Sequence, residues 1–249
     1  MTNLPALSAP DFDLQIAELA RAYSRANGPV MTLVNRLGGG IEHQMAALPP
    51  KLRAEVERVT RAGLDLAMAL GARAPNLGPR GAMAAAMASG AVGGAGGLLT
   101  SLAELPVTIT MILRVVQNEA RVAGFDPDEP VIKAACLQVF AAGTPLAQDD
   151  GVNSGFVSAR VTLTGPALQR LIATVAPRLA AALGQKLAAQ AVPVLGAVSG
   201  AAVNAAYLRY YREMARIRFA LMRLSVQHGA EAVVAAFSRA VESPKITGA

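Results

Sequence analysis

Apolar residues recur at three- and four-residue spacings along most of the chain, which is the period of amphipathic helices. The pattern is clearest within 90–126, where a glycine-rich opening leads into a long apolar run. Because proline is tolerated in the first turn of a helix, Pro106 places the predicted start of this helix near Leu105. Gly124 supplies a predicted C-cap. The stretch therefore predicts a central, largely buried helix.

Polar residues return in the second half of this central helix. Arg114, Gln117, Asn118 and Arg121 lie three or four residues apart, so we predict that they share one face. Arg114 and Asn118 on this face are candidates for contact with the polar part of a ligand.

Two segments carry glycines at four-residue spacings. The first lies within 90–97, and in the second Gly196, Gly200 and Asn204 form one line along a helix. Each glycine inside a helix costs about 1 kcal/mol relative to alanine, and close contact between helices is the usual compensation. We therefore expect the two segments to pack against each other and to bury the Asn204 amide. A flexible or membrane-inserting role for the first segment is the alternative.

The remaining pattern predicts an all-α fold, a multi-helix bundle with glycine-rich, closely packed central helices and one polar loop or short hairpin. The polar loop is 149–165, where alternating Val and Thr favour a short hairpin at 156–163. Further helices are predicted at 11–26, 51–72, 130–143, 166–183 and 230–241.

The composition is unusually apolar. Hydrophobic residues make up 53% and charged residues 16% of the 249 residues, and the mean hydropathy is +0.38, whereas soluble domains carry about 25% charged residues. The runs 81–103 and 187–208 are long enough to span a bilayer. They are rich in Ala, Gly and polar residues, which insert poorly. Burial in a core or peripheral insertion is therefore favoured over a transmembrane pair.

The net charge of +6 predicts an anionic partner. No nucleic-acid-binding motif is present, so an anionic membrane surface or a lipid-like ligand fits better. Arg209, Arg212 and Arg216 share a face of the predicted helix that follows Gly200, and Arg218 and Arg223 continue the basic run. We predict that the first three arginines form a membrane or partner surface, with a solvated face as the alternative.

The sequence offers little catalytic chemistry. Cys136 is the only cysteine, which excludes an internal disulfide and fits a reducing, cytoplasmic compartment; its apolar surroundings predict an inert buried thiol. No secretory signal is recognisable at the N-terminus. His43 lacks a partner at ligand spacing, and the acidic run 149–153 matches a calcium loop only loosely. We therefore expect no metal and no cofactor.

Several blocks together resemble one known family. They are the glycine block 93–97, the Glu104-Leu105-Pro106 step, the Gly124-Phe125-Asp126 stop, and the block 192–201 followed by Asn204. In this order they are similar to the EcsC family of bacterial proteins over about 50–224. The resemblance implies an all-helical domain at 49–228, a variable N-terminal helical segment at 1–48, and a C-terminal helix and tail at 229–249. It implies no assigned biochemical activity.

Two functions remain open from the sequence. The first is a non-enzymatic, cytoplasmic-side, membrane-associated protein that binds lipid or another apolar ligand between its glycine-lined helices, or that assists a membrane transporter. The predicted ligand contacts are Glu104, Arg114, Asn118, Gln138 and Asn204.

The alternative is a hydrolase-like enzyme whose polar residues converge in the bundle. No HExxH, GxSxG or Walker motif supports it. The hydrolase-like alternative predicts that Glu104 and Glu119 face one cavity.

Overall fold

The computed structural model describes residues 9–26, 50–70, 78–95, 97–141, 170–177, 179–180, 183 and 196–242. These parts of the chain are helical except for residue 26, the turn at 123–129 and residue 229, and they contain no strand, so the predicted all-α fold is confirmed. The predicted 149–165 loop and its hairpin lie outside the described residues. Seven helices have defined bounds: α1 Ala9–Arg25, α2 Pro50–Leu70, α3 Gly78–Ala95, α4 Gly97–Val122, α5 Pro130–Ala141, α6 Gly196–His228 and α7 Ala230–Glu242. Residues 170–177 are also helical, within the predicted 166–183 helix.

The longest of these helices, α6, packs against α1, α3, α4, α5 and α7. Its most extensive contact is with α3. The two glycine-bearing helices therefore pack on each other, as the sequence predicts. On the other side of α4 lies α2, while α1 packs against both α6 and α7. Among the described residues, no helix is long and apolar enough to cross a bilayer.

The central helix begins earlier than predicted. The predicted start near Leu105 is wrong, because α4 begins at Gly97 and contains Pro106 in its interior. An interior proline removes one backbone hydrogen bond and costs about 3 kcal/mol. The flanking side chains of Leu105 and Ile109 are fully buried, and burial of such side chains stabilises by about 1.5–3 kcal/mol each. Tertiary packing therefore outweighs the local preference that predicted a boundary here.

The contact between α2 and α4 depends on one glycine. A Cβ atom built on Gly63 would lie 2.8 Å from Ile109 Cδ1 and 3.2 Å from Pro106 Cα. Any larger residue would require one of these groups to move. The hydrophobic pattern places Gly63 on the apolar stripe of its helix but does not show this close approach.

The predicted helix stop at Gly124 is confirmed. Gly124 has φ +88°, the left-handed conformation that favours glycine. The backbone N–H of Phe125 donates to the carbonyl of Ala120 and that of Gly124 to the carbonyl of Arg121, both at 2.9 Å. This is the Schellman pattern of a helix C-terminus, and it fixes the direction in which the chain leaves α4.

Candidate functional site

Four polar side chains from three helices meet at the centre of the bundle. Glu104 on α4 accepts hydrogen bonds at Oε1 from Ser89 Oγ of α3 (2.9 Å), from Thr108 Oγ1 (2.8 Å) and from Asn204 Nδ2 of α6 (2.5 Å). Asn204 Nδ2 also donates to the backbone carbonyl of Ala86, at 3.0 Å. We call Ser89, Glu104, Thr108 and Asn204 the interhelix polar cluster. It joins α3, α4 and α6 at the level of the glycine-bearing segments.

Glu104, Thr108 and Asn204 of the interhelix polar cluster are buried, whereas Ser89 is half-buried. Glu104 is 8% exposed and Asn204 is 2% exposed. Asn204 Oδ1 is buried and has no hydrogen-bond partner among the described residues. Of the five predicted ligand contacts, Glu104 and Asn204 are thus brought together, but each is engaged with the other. Hydrogen bonds to a carboxylate are stronger than neutral ones, so this arrangement suits the alignment of helices.

Two of the three arginines in the predicted basic surface of α6 form ion pairs with carboxylates. Arg212 Nε donates to Glu119 Oε1 at 2.8 Å, and Arg216 forms a 2.5 Å ion pair with Glu213. The hydrogen bond to Glu213 raises the pKa of Arg216. Arg209 is exposed. Two of the three predicted surface arginines therefore lie in a mixed-charge environment.

The residues proposed for the enzyme alternative do not converge. Glu104 and Glu119 lie 15 residues apart on α4, which corresponds to about 22 Å along a helix. Glu104 belongs to the interhelix polar cluster, whereas Glu119 binds Arg212. The two carboxylates therefore do not face one cavity.

Gln138 on α5 has a different partner from the other predicted ligand contacts. Its Oε1 accepts a hydrogen bond from the guanidinium of Arg218 on α6. Arg218 is only 1% exposed, so it does not extend the predicted surface of Arg209, Arg212 and Arg216. Burial lowers the pKa of Arg218 to about 10. Arg218 follows Tyr211 by seven residues, so the two side chains lie on the same face of α6. Tyr211 is buried, and this shared face is the sequence signal that could have indicated the burial of Arg218.

The prediction that Cys136 is a buried thiol is confirmed. Burial raises the pKa of Cys136 to about 12. At about pH 8 only about one molecule in 10⁴ would therefore carry the reactive thiolate. We expect a thiol-specific disulfide reagent to label the folded protein only through unfolding, and to label it at once in denaturant. Rapid labelling of the folded protein would contradict this burial.

The outward side of α4 carries the remaining two predicted contacts. We call Val107, Met111, Arg114, Asn118 and Arg121 the outer face of α4; they recur every three or four residues and are exposed or half-buried. Burial, together with the nearby charge of Arg121, lowers the pKa of Arg114. Gln117, which the spacing also placed on this face, is buried instead. The outer face of α4 thus changes along its length from apolar to cationic.

Metal chemistry has no support in the described part of the chain, where no group of three or more His, Cys, Asp or Glu side chains could hold a metal ion. His43 and the acidic run 149–153 lie outside the described residues.

Comparison with known proteins gives one result. Neither the curated proteins nor the solved structures include a match to this chain. The sequence profile of the EcsC protein family matches residues 79–224. The matched region is more than half of the chain, and it contains the interhelix polar cluster and the outer face of α4. The chain therefore belongs to the EcsC protein family.

Proposed function

We propose that this protein is a non-enzymatic, membrane-associated protein of the cytoplasmic side that binds lipid or another apolar ligand. The observation that carries the proposal is a set of exposed apolar side chains on three neighbouring helices. Leu66 on α2 is 49% exposed, Met87 on α3 is 45% exposed and Val107 on α4 is 52% exposed. Exposed apolar groups that lie close together are typical of surfaces that bind lipid or protein partners.

These three side chains lie at about the same level of the bundle. The helices α3 and α4 are joined through residue 96 alone and form an antiparallel hairpin, in which Ser89 contacts Glu104. Met87 therefore lies near the level of Pro106. Leu66 lies about one helical turn from Gly63, which contacts Pro106.

The ligand surface proposed here is on the outside of the bundle. The sequence suggested a ligand between the glycine-lined helices, but α3 and α6 pack closely there and are joined by the Asn204 hydrogen bond to Ala86. Arg114 and Asn118 lie on the outer face of α4, which also carries the exposed Val107. Glu104, Asn204 and Gln138 instead support the fold.

Vesicle flotation tests the proposal. We expect the purified protein to float with vesicles that contain phosphatidylglycerol or phosphatidylserine, and to a smaller extent with phosphatidylcholine vesicles, because the net charge is +6. Protein that stays at the bottom of the gradient with both kinds of vesicle would contradict a direct lipid contact. Because the vesicles contain no protein, flotation would show that the protein binds a membrane without a membrane transporter as partner.

A further inference from the structure

Four exposed arginines lie on one side of α6. Arg209, Arg212, Arg216 and Arg223 follow one another at spacings of three, four and seven residues, so their side chains share one face of the helix. We call these four residues the arginine row of α6. From 209 to 223 the row extends about 21 Å along the helix axis. Ala220, which lies between Arg216 and Arg223 on this face, is small and half-buried, so the guanidinium groups on either side of it are accessible.

Carboxylates from three helices surround the centre of the arginine row. Arg212 is paired with Glu119 of α4, and Arg216 is paired with Glu213 of α6. The pKa of Arg216 is raised by its hydrogen bond to Glu213 and further by the negative charges of Glu213, Glu119 and Glu18, although burial opposes the shift. Glu18 is an exposed residue of α1. The helix α1 therefore contributes negative charge to the same surface.

The two ends of the arginine row differ from its centre. Within the part of the chain that the structure describes, neither Arg209 nor Arg223 forms an ion pair with a carboxylate. Positive charge is therefore concentrated at two exposed positions about 21 Å apart. A single small anion cannot reach both positions, whereas an extended anionic surface can. The sequence contains no nucleic-acid-binding motif, so a membrane with anionic lipids is the extended surface that fits.

We propose that the arginine row of α6 binds the headgroup phosphates of anionic lipids, with Arg209 and Arg223 as its main contacts, and that the carboxylate of Glu18 weakens this binding. The inference rests on the proposed lipid-binding function and names the surface that recognises the charge of the lipid. The exposed apolar side chains of α2, α3 and α4 contribute to the binding of charged and neutral lipids alike. The arginine row adds the preference for anionic lipids.

A pair of matched double variants tests the ends of the row. Arg209→Gln/Arg223→Gln should bind phosphatidylglycerol vesicles about 30-fold more weakly than wild type, since each basic residue at a membrane surface contributes about fivefold. Its weaker binding to phosphatidylcholine vesicles should not change, because these vesicles carry no net charge. Lys51→Gln/Arg170→Gln removes the same charge from exposed positions outside α6 and should weaken phosphatidylglycerol binding by about twofold or less at physiological salt.

A second pair tests Glu18 and has the opposite expected sign. Glu18→Gln should bind phosphatidylglycerol vesicles about fivefold more tightly than wild type, because one opposing charge near Arg216 is removed. Asp13→Asn makes the same change in net charge at an exposed position on another face of α1, and its affinity should stay close to that of wild type. Far-UV circular dichroism and protection of Cys136 from labelling verify that each variant is folded.

The outcomes separate the two proposals. If wild type floats and Arg209→Gln/Arg223→Gln floats equally well, the arginine row is not the contact, and the lipid-binding function stands. Equal losses in this variant and in Lys51→Gln/Arg170→Gln would show that only net charge matters, which also overturns the inference. A DNA duplex that displaces vesicles from wild type and requires the same two arginines would assign the row to nucleic acid instead. Wild-type protein that floats with neither kind of vesicle would overturn both proposals.

Discussion

Glu104→Leu is expected to destabilise the protein by about 3 kcal/mol, the largest effect of any single side-chain removal proposed here. The substitution removes the oxygen that accepts hydrogen bonds from Ser89, Thr108 and Asn204. The two hydroxyls can turn to backbone carbonyls four residues earlier in their own helices, as Ser and Thr commonly do. The second N–H of Asn204 has no such alternative and would be buried without an acceptor.

The opposing effect is desolvation of the carboxylate, which the substitution relieves. Three donors on one oxygen outweigh this relief, because each hydrogen bond to a charged group contributes about 1.5–3 kcal/mol. Urea unfolding, followed by circular dichroism and by Cys136 labelling, measures the difference. The thermal midpoint should fall by about 10 °C, given a shift of about 2–4 °C for each kcal/mol in a chain of this size.

Matched variants identify the cause. Glu104→Gln keeps one acceptor oxygen and should lose less than half as much stability as Glu104→Leu. Glu57→Leu removes an exposed carboxylate from α2 and should leave the midpoint nearly unchanged. In Asn204→Ala the amide that would be left without an acceptor is absent, so adding Glu104→Leu should cost about 1–2 kcal/mol less there than in wild type. A Glu104→Leu protein as stable as wild type would show that desolvation exceeds the hydrogen bonds.

Much of the fold follows from the sequence because helix periodicity and helix-ending residues are local signals. The Gly124 stop and the pairing of α3 with α6 could be predicted in this way. The start of α4 could not, since Pro106 is tolerated by packing from α2 and α3 that lies outside any local window. The close approach at Gly63 could not be predicted for the same reason, because the residues next to it belong to another helix.

The candidate site was harder to predict than the fold. Asn204 is recognisable as buried from its line with Gly196 and Gly200, but its partners Ser89 and Glu104 are set by tertiary contacts. Arg218 belongs to the same run of arginines but is buried, because it lies on a different face of the helix from Arg209, Arg212 and Arg216.

Gly63→Val is expected to destabilise the protein by about 3 kcal/mol, at the upper end of the range for overpacked cores. Even a single Cβ atom at Gly63 would meet Ile109 Cδ1 at 2.8 Å and Pro106 Cα at 3.2 Å, and valine adds two further carbons. The improvement of helix propensity over glycine contributes less than about 1 kcal/mol and cannot offset this crowding. Ala62→Val, at the exposed neighbouring position, isolates the propensity effect of a β-branched residue and should cost about 0.6 kcal/mol.

The close approach of Gly63 to Ile109 also predicts the sign of the coupling energy between substitutions at these two positions. Ile109→Val removes Cδ1, the atom closest to the added Cβ, and should by itself cost about 0.5–1.5 kcal/mol. In that background Gly63→Ala should be less destabilising than in wild type, or stabilising, because the gain in helix propensity of about 1 kcal/mol is no longer cancelled by the clash. Urea midpoints of the four proteins of this double-mutant cycle give the coupling energy. Additive effects would mean that α2 and α4 separate to admit the methyl group, and the close approach at Pro106 would then not determine how these helices pack.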